Sequence, residues 1–208
     1  MPPVKRRYEA PIRREQSALT RRRILDAAAA AFSATGWAGT TVADVAREAG
    51  VTPQAVHLSV GAKPALLVAA VAHAVAGDEP DVPLRERRAF APAFAPGVTA
   101  AERAAAFAAG SRAVYERAGA LFLVLAQAAP ADPSVEDLWR SARKARLADC
   151  RDLVCLASPS GVADDWTVDV VFVLSGPGVY ADLTGDRGWP ADAYQQWLTA
   201  ALESLLGP

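Results

Sequence analysis

Residues 41–67, TVADVAREAGVTPQAVHLSVGAKPALL, constrain the fold more than any other stretch of the chain. Val42, Val45, Ala46 and Ala49 recur at i, i+3, i+4 and i+7, which is one apolar face of a helix. Thr41 is placed to cap that helix, with Asp44 three residues on reaching back to the cap amide. Gly50 follows the last apolar position, where a left-handed residue ends a helix at little cost. Thr52 then caps a second helix, and Pro53 suits its first turn because no N–H is needed there. Val51 and Val56 fill the angle between the two, leaving Gln54, Ala55, His57 and Leu58 outward. Two short helices joined by a glycine turn have the helix-turn-helix shape, whose second helix enters a DNA major groove. An ordinary corner between two helices of a bundle has the same outline. The two caps, the small Ala46, Gly50 and the exposed polar second helix favour the nucleic-acid reading.

Charge distribution points the same way. The net charge of the 208 residues is −1, but residues 1–63 hold 10 Lys/Arg against 5 Asp/Glu, and residues 64–208 hold 12 against 18. A basic first unit joined to an acidic second one suits a chain that meets DNA with one end only. Hydrophobic residues at 52% and charged residues at 22% fit a globular chain long enough to bury a core. Met1 to Ala18 lacks the apolar centre of a signal peptide, and no apolar run reaches the ~20 residues of a membrane span, so a cytoplasmic location without membrane contact is expected. Cys150 and Cys155 are five apart on an expected helix, some 140° around its axis, and read as buried structural thiols. The histidines are His57 and His73, and no nucleophile–base pair, phosphate loop or metal spacing occurs. No catalytic residue, cofactor or metal is therefore expected, and a helical enzyme using scattered carboxylates is the least supported alternative.

Taken in order, residues 1–16 carry Pro2, Pro3 and Pro11 with five Lys or Arg, a basic arm expected to order only on DNA. Ser17 to Thr35 is the first helix, with Ile24, Ala28, Ala31 and Phe32 as its buried stripe. Arg21, Arg22 and Arg23 crowd its first turns, where they oppose the helix dipole, and phosphate contact would account for them. A helix from Lys63 to Ala76 follows the recognition helix and is the natural lever between the two units. Residues 77–98, with four prolines and three arginines, form an ordered loop with one short helix. Thr99 caps a helix to about Ala118, Gly119 breaks it, and Ala120 to Ala129 is a separate buried helix. Ser134 to Leu156 is the next, with Val135, Leu138, Trp139 and Ala142 inward and its charges, Arg143, Arg146 and Asp149 among them, on a solvated face. Val168 to Leu174 is a buried helix interrupted by Gly176-Pro177-Gly178, and Pro190 to Leu206 closes the chain.

The segment from Ile24 to Leu67 resembles the N-terminal domain of TetR-family transcriptional regulators. The resemblance rests on Ile24-Leu25, Ala28, Phe32, Gly36, Thr41-Val42, Val45-Ala46, Ala49-Gly50-Val51, Lys63 and Leu66-Leu67. The stretch GDRGWPADAYQQWL is similar to the last-helix region of actinobacterial members. His57 and Val60 depart from the tyrosine and aromatic residue usual in the family at these places. The resemblance implies an all-α fold of about nine helices, with a three-helix DNA-binding domain over 1–62 and a ligand-binding and dimerisation domain over 63–208. It implies a homodimer on a double-stranded operator, a repressor released by a small, mainly apolar effector. A ligand-independent DNA-binding protein is the competing expectation.

The expected DNA-contacting residues are Arg22, Thr41, Arg47, Thr52, Pro53 and Gln54, continuing through Ala55, His57, Leu58 and Lys63. Helical facing and the family together suggest an effector cavity lined by Phe107, Ser111, Tyr115, Phe122, Gln127 and Trp139, without an assured charge. The family's dimer contact through its last two long helices would fall on Val171, Leu174, Tyr194 and Trp197 and on Leu198, Ala201, Leu202 and Leu205.

Overall fold

The computed structural model describes residues 9–80 and 82–207, with side chains from residue 13 onward. Among these residues the chain is all helical: α1 (Glu9–Gly39), α2 (Val42–Glu48), α3 (Pro53–Ser59), α4 (Lys63–Ala76), α5 (Ala91–Phe94), α6 (Ala100–Ala128), α7 (Pro133–Ala157), α8 (Asp165–Leu174), α9 (Pro177–Ala181) and α10 (Ala191–Leu206). Short 3₁₀ turns at Leu84–Glu86 and Ala129–Ala131 and a π turn at Asp182–Asp186 complete the connections. No single helix among the described residues is long and apolar enough to cross a membrane.

Two apolar cores organise these helices. The first joins α1 to α4 and is sealed by Ile24, Phe32, Val45, Val56, Leu66 and Leu67, all without solvent exposure. It also takes in Leu121, Leu125 and Val135 from the end of α6 and the start of α7, so the helix-turn-helix unit rests on the long helices behind it. The second surrounds the first half of α6, with Cys150 and Leu153 from α7, Val168 and Val171 from α8, and Tyr194, Leu198 and Leu202 from α10. Ala74, Val75 and Phe122 touch both cores.

Several expectations are corrected here. The basic arm falls partly on residues 1–8, which lie outside the described residues; residues 9–16 are helical and extend α1 eight residues ahead of Ser17. Pro11 is accommodated because the first four N–H groups of a helix have no partner to lose. Gly36, at φ 69°, interrupts the helical backbone, so α1 kinks there ahead of Gly39. The long helix does not break at Gly119: α6 is continuous for 29 residues. A Cβ at position 119 would make only ordinary contact, 3.4 Å from the Tyr180 ring. At Gly110 the approach is tighter, with Ala89 O and the Phe90 ring 2.8 Å from where a Cβ would be. α7 starts at Pro133 with Asp132 as its cap, because Asp132 Oδ1 accepts from the amides of Ser134 and Val135.

Four of the eight expected dimer residues are also corrected. Tyr194, Leu198, Leu202 and Val171 are fully buried within their own chain, where α10 packs on α6. Leu174, Trp197 and Leu205 are half-buried against the same core, and Ala201 lies at its margin. The innermost positions of the α10 stripe, Tyr194, Leu198 and Leu202, are thus intramolecular core. Cys150 is buried as expected, but Cys155 is only half-buried, with its thiol on Gly161 O.

Candidate nucleic-acid interface and effector cavity

The recognition unit is set by local hydrogen bonds. Thr52 Oγ1 accepts from Ala55 N and starts α3, and Thr41 Oγ1 accepts from Asp44 N and starts α2. The Asp44 carboxylate takes the Thr41 hydroxyl at 2.6 Å rather than the cap amide, and lies 2.9 Å from Arg47. The Thr41 hydroxyl, with Arg47 adding to it, holds the Asp44 carboxyl below its ordinary pKa. Gly50 sits at φ 63°, and a Cβ there would meet Arg23 Nη2 at 2.9 Å. Two independent reasons therefore call for glycine: backbone handedness and the guanidinium that crosses it.

Val56 anchors α3 in the first core with no exposure, and this turns Gln54, His57 and Leu58 to solvent, Leu58 at 82%. Pro53 is exposed and Ala55 half-exposed on the same face. Val60 packs behind the helix, in the first core. The Lys63 ammonium stands 4.5 Å over the Trp37 ring, and Trp37 in turn stacks on Phe32 at 6.1 Å. That cation–π contact ties the start of α4 to the last turn of α1.

The three arginines of α1 divide by role. Arg21 donates to Ser59 O and Arg23 to Ala49 O, each at the C-terminal end of a recognition-unit helix, where carbonyls lack intrahelical partners. Arg22 points elsewhere, 4.0 Å from Asp78 beyond the end of α4. The dipole argument for phosphate contact does not apply, because α1 starts at Glu9 and these residues are in its interior. The sequence reading placed Arg13 and Gln16 in a DNA-binding arm, but it missed that they are helical and share this surface with Ser17 and Thr20. Arg13, Gln16, Ser17 and Thr20 share a groove with Ala55, Leu58 and Ser59 of the recognition helix. Their i, i+3, i+4, i+7 spacing was the available signal, obscured by Pro11.

The second feature is a cavity of about 640 Å³ in the C-terminal part. Its walls come from α4 (Val71, Ala72, Val75), α6, α7 and the α8–α9 junction (Phe172 to Val179). Of the expected lining, Phe107, Ser111, Tyr115, Phe122 and Trp139 are present. Gln127 is exposed instead, which is a correction: on one continuous helix it is about 160° around from Ser111. Tyr115 Oη donates to Ser175 O at 2.6 Å, and burial pushes its phenol pKa well up. Ser111 lines the space with no protein hydrogen bond to its hydroxyl among the described residues.

The lining is also charged, contrary to expectation. Arg87, Arg143, Arg146 and Asp149 all reach it. Arg87 donates from Nε to Val82 O and from Nη1 to Val75 O, tying the α4–α5 connection to α4. Burial pushes its pKa down. Arg146, read from the sequence as solvated surface, donates to Phe172 O at 2.6 Å and lies 3.6 Å from the Phe172 ring centroid. Burial raises the pKa of Asp149, although Arg85 opposes this from 3.9 Å. Cys150, pushed up to about 11 by burial, is not poised as a nucleophile. No cluster of three or more His, Cys, Asp or Glu suited to a metal occurs among the described residues.

Residues 24–70 match the family described as bacterial regulatory proteins, tetR family, over their N-terminal domain. Among curated proteins none matches the chain. Solved structures do. A proposed transcriptional regulator from Pseudomonas aeruginosa PAO1 superposes with a TM-score of 0.70 at 16% identity, covering 98% of this chain and 96% of the other. A proposed TetR-family regulator from Rhodococcus sp. gives 0.69 at 20% identity, covering 90% and 98%. A third, from Mesorhizobium loti MAFF303099, gives 0.68 at 20% identity, covering 91% and 96%. These likenesses extend the shared fold from the matched segment to nearly the whole chain.

Proposed function

We propose that this chain, whose residues 24–70 carry a TetR-family N-terminal domain, is a transcriptional repressor released from its operator by a small molecule. One observation carries the reading: α4 belongs to both candidate sites. Its first residue, Lys63, is fastened to Trp37 beside the recognition helix, and Val71, Ala72 and Val75 further along wall the cavity. A molecule that fills the cavity pushes on α4, which follows α3 in the chain and shares the first core with it through Val56, Leu66 and Leu67. DNA and effector then compete by favouring different placements of α4, with a coupling typically of ~1–3 kcal/mol.

The same reading requires a dimer, since two recognition helices must meet one DNA face. The surface that suits it is the outward face of α8 and its approach. Val162, Trp166 and Val173 are 68%, 68% and 60% exposed there, with Trp166 and Val173 seven residues apart along one side of α8.

The test is to recover the operator from genomic fragments bound by the full chain and then seek its release. Compounds that free the operator should act on the wild type and fail on Ala126→Trp, which places an indole in the cavity wall. If every releasing compound acts equally on both proteins, the cavity is not the effector site and a constitutive DNA-binding protein is the better reading.

A further inference from the structure

We infer that the effector is an amphipathic organic anion: an apolar aromatic or aliphatic body carrying one carboxylate or comparable group, held by Arg143 and Arg146. The inference rests on the cavity being the effector site and concerns which chemistry it selects.

Both guanidiniums are gathered on one side chain. The Arg146 Cζ is 3.6 Å and the Arg143 Cζ 5.2 Å from the Phe172 ring centroid, and Arg143 also lies 5.5 Å from Trp139. Phe172, Trp139 and both arginines line the same space. Two cations on one ring repel, and the ring's negative face offsets this only in part.

No carboxylate relieves them. Among the described residues neither Arg143 nor Arg146 forms an ion pair, whereas Arg85, Arg140 and Arg151 each have one within 3 Å. The cavity's own acid, Asp149, faces Arg85. Arg146 uses Nη1 for Phe172 O and Ser175 Oγ, which leaves its other N–H groups without a described acceptor. The lining thus holds three guanidiniums, Arg87 included, to one carboxylate, around walls that are otherwise mostly apolar. A guanidinium fork is matched to a planar carboxylate, and the half-buried Arg146 is the more shielded of the two. A neutral hydrocarbon would fill the volume while leaving the cations unanswered. An organic cation would be repelled.

The experiment titrates the full chain with two fluorescent probes of nearly one shape, 8-anilinonaphthalene-1-sulfonate and the uncharged N-phenyl-1-naphthylamine. The expected result is a preference for the anion by about tenfold or more, the size of one charge-assisted hydrogen bond. Arg143→Met, at an exposed position, should weaken the sulfonate about fivefold or more while leaving the neutral probe within about twofold. Arg146→Gln should do the same, with its unfolding curve confirming that the loss of the Phe172 contact leaves the fold intact. Ala126→Trp should expel both probes. Equal binding of the two probes, or arginine variants that weaken both alike, would overturn the anion assignment while leaving the cavity as a site. Binding of neither probe, or binding that survives Ala126→Trp, would overturn the cavity reading and the assignment with it.

Discussion

The two halves of this molecule solve opposite packing problems. Around α2 and α3 the core is closed: Phe32, Val45, Val56, Leu66 and Leu67 have no exposure, and every short helix has a side-chain cap or a fixed turn. Around the middle of α6, aromatic and arginine side chains stand apart over about 640 Å³. A helix of seven residues cannot hold itself together, so the recognition unit needs complete packing and capping to present α3 in one orientation. The long helices of the C-terminal part keep their shape without that, and so can surround an open space. The difference teaches where each half can tolerate change.

The largest expected effect separates the buried stripe of α10 from the exposed face of α8. Leu198→Glu places a charge in the second core and is expected to unfold the C-terminal part, a loss of more than ~4 kcal/mol. Trp166→Glu should leave unfolding nearly unchanged and shift the protein from dimer to monomer in sedimentation. A clean folded monomer from Leu198→Glu would return the α10 stripe to the dimer interface.

Next in size are truncations in the two cores. Leu66→Ala in the closed core should cost ~2–5 kcal/mol, because the void it leaves cannot collapse. Leu138→Ala, on the cavity wall and already half-exposed, should cost about 1 kcal/mol or less. Urea unfolding of both variants measures the contrast; equal costs would mean that the cavity is not open in solution.

On the exposed tip of the closed half, Gln54→Ala should leave stability unchanged and remove ~1–3 kcal/mol of discrimination at one symmetric position of each half-site. Binding to operators mutated one position at a time reads this directly. Equal weakening on every sequence would place Gln54 on the DNA backbone.

The smallest effects come from two buried tyrosines. Tyr115 has a hydrogen bond to Ser175 O, and its replacement by Phe should cost about 1 kcal/mol. No protein hydrogen bond reaches Tyr194 Oη among the described residues, and burial also drives its pKa up. Tyr194→Phe should therefore be neutral or stabilising by up to about 1 kcal/mol. A clear loss in that variant would reveal a partner for its hydroxyl.

The amino-acid sequence by itself determined the recognition unit and those helix starts that carry their own caps. Thr41, Gly50, Thr52-Pro53 and the Thr99–Glu102 capping box act within four residues of themselves, so their meaning is complete in the local pattern. It also determined that Val56 faces inward and Gln54 outward, because one periodic face is enough to orient a two-turn helix. What only the tertiary structure decided is which surface each face meets. The α10 stripe reads the same whether it meets α6 or a second subunit, and it is the approach of α6 that buries Leu198 and Leu202 in their own chain. Gly119 reads as a break, yet α6 runs on through it with Ala118 and Leu121 buried on either side. Arg146 reads as solvated surface until Phe172 and its carbonyl come within reach from another helix. Periodicity encodes a direction around a helix axis, and partners 26 to 80 residues away are supplied by the packing of whole helices.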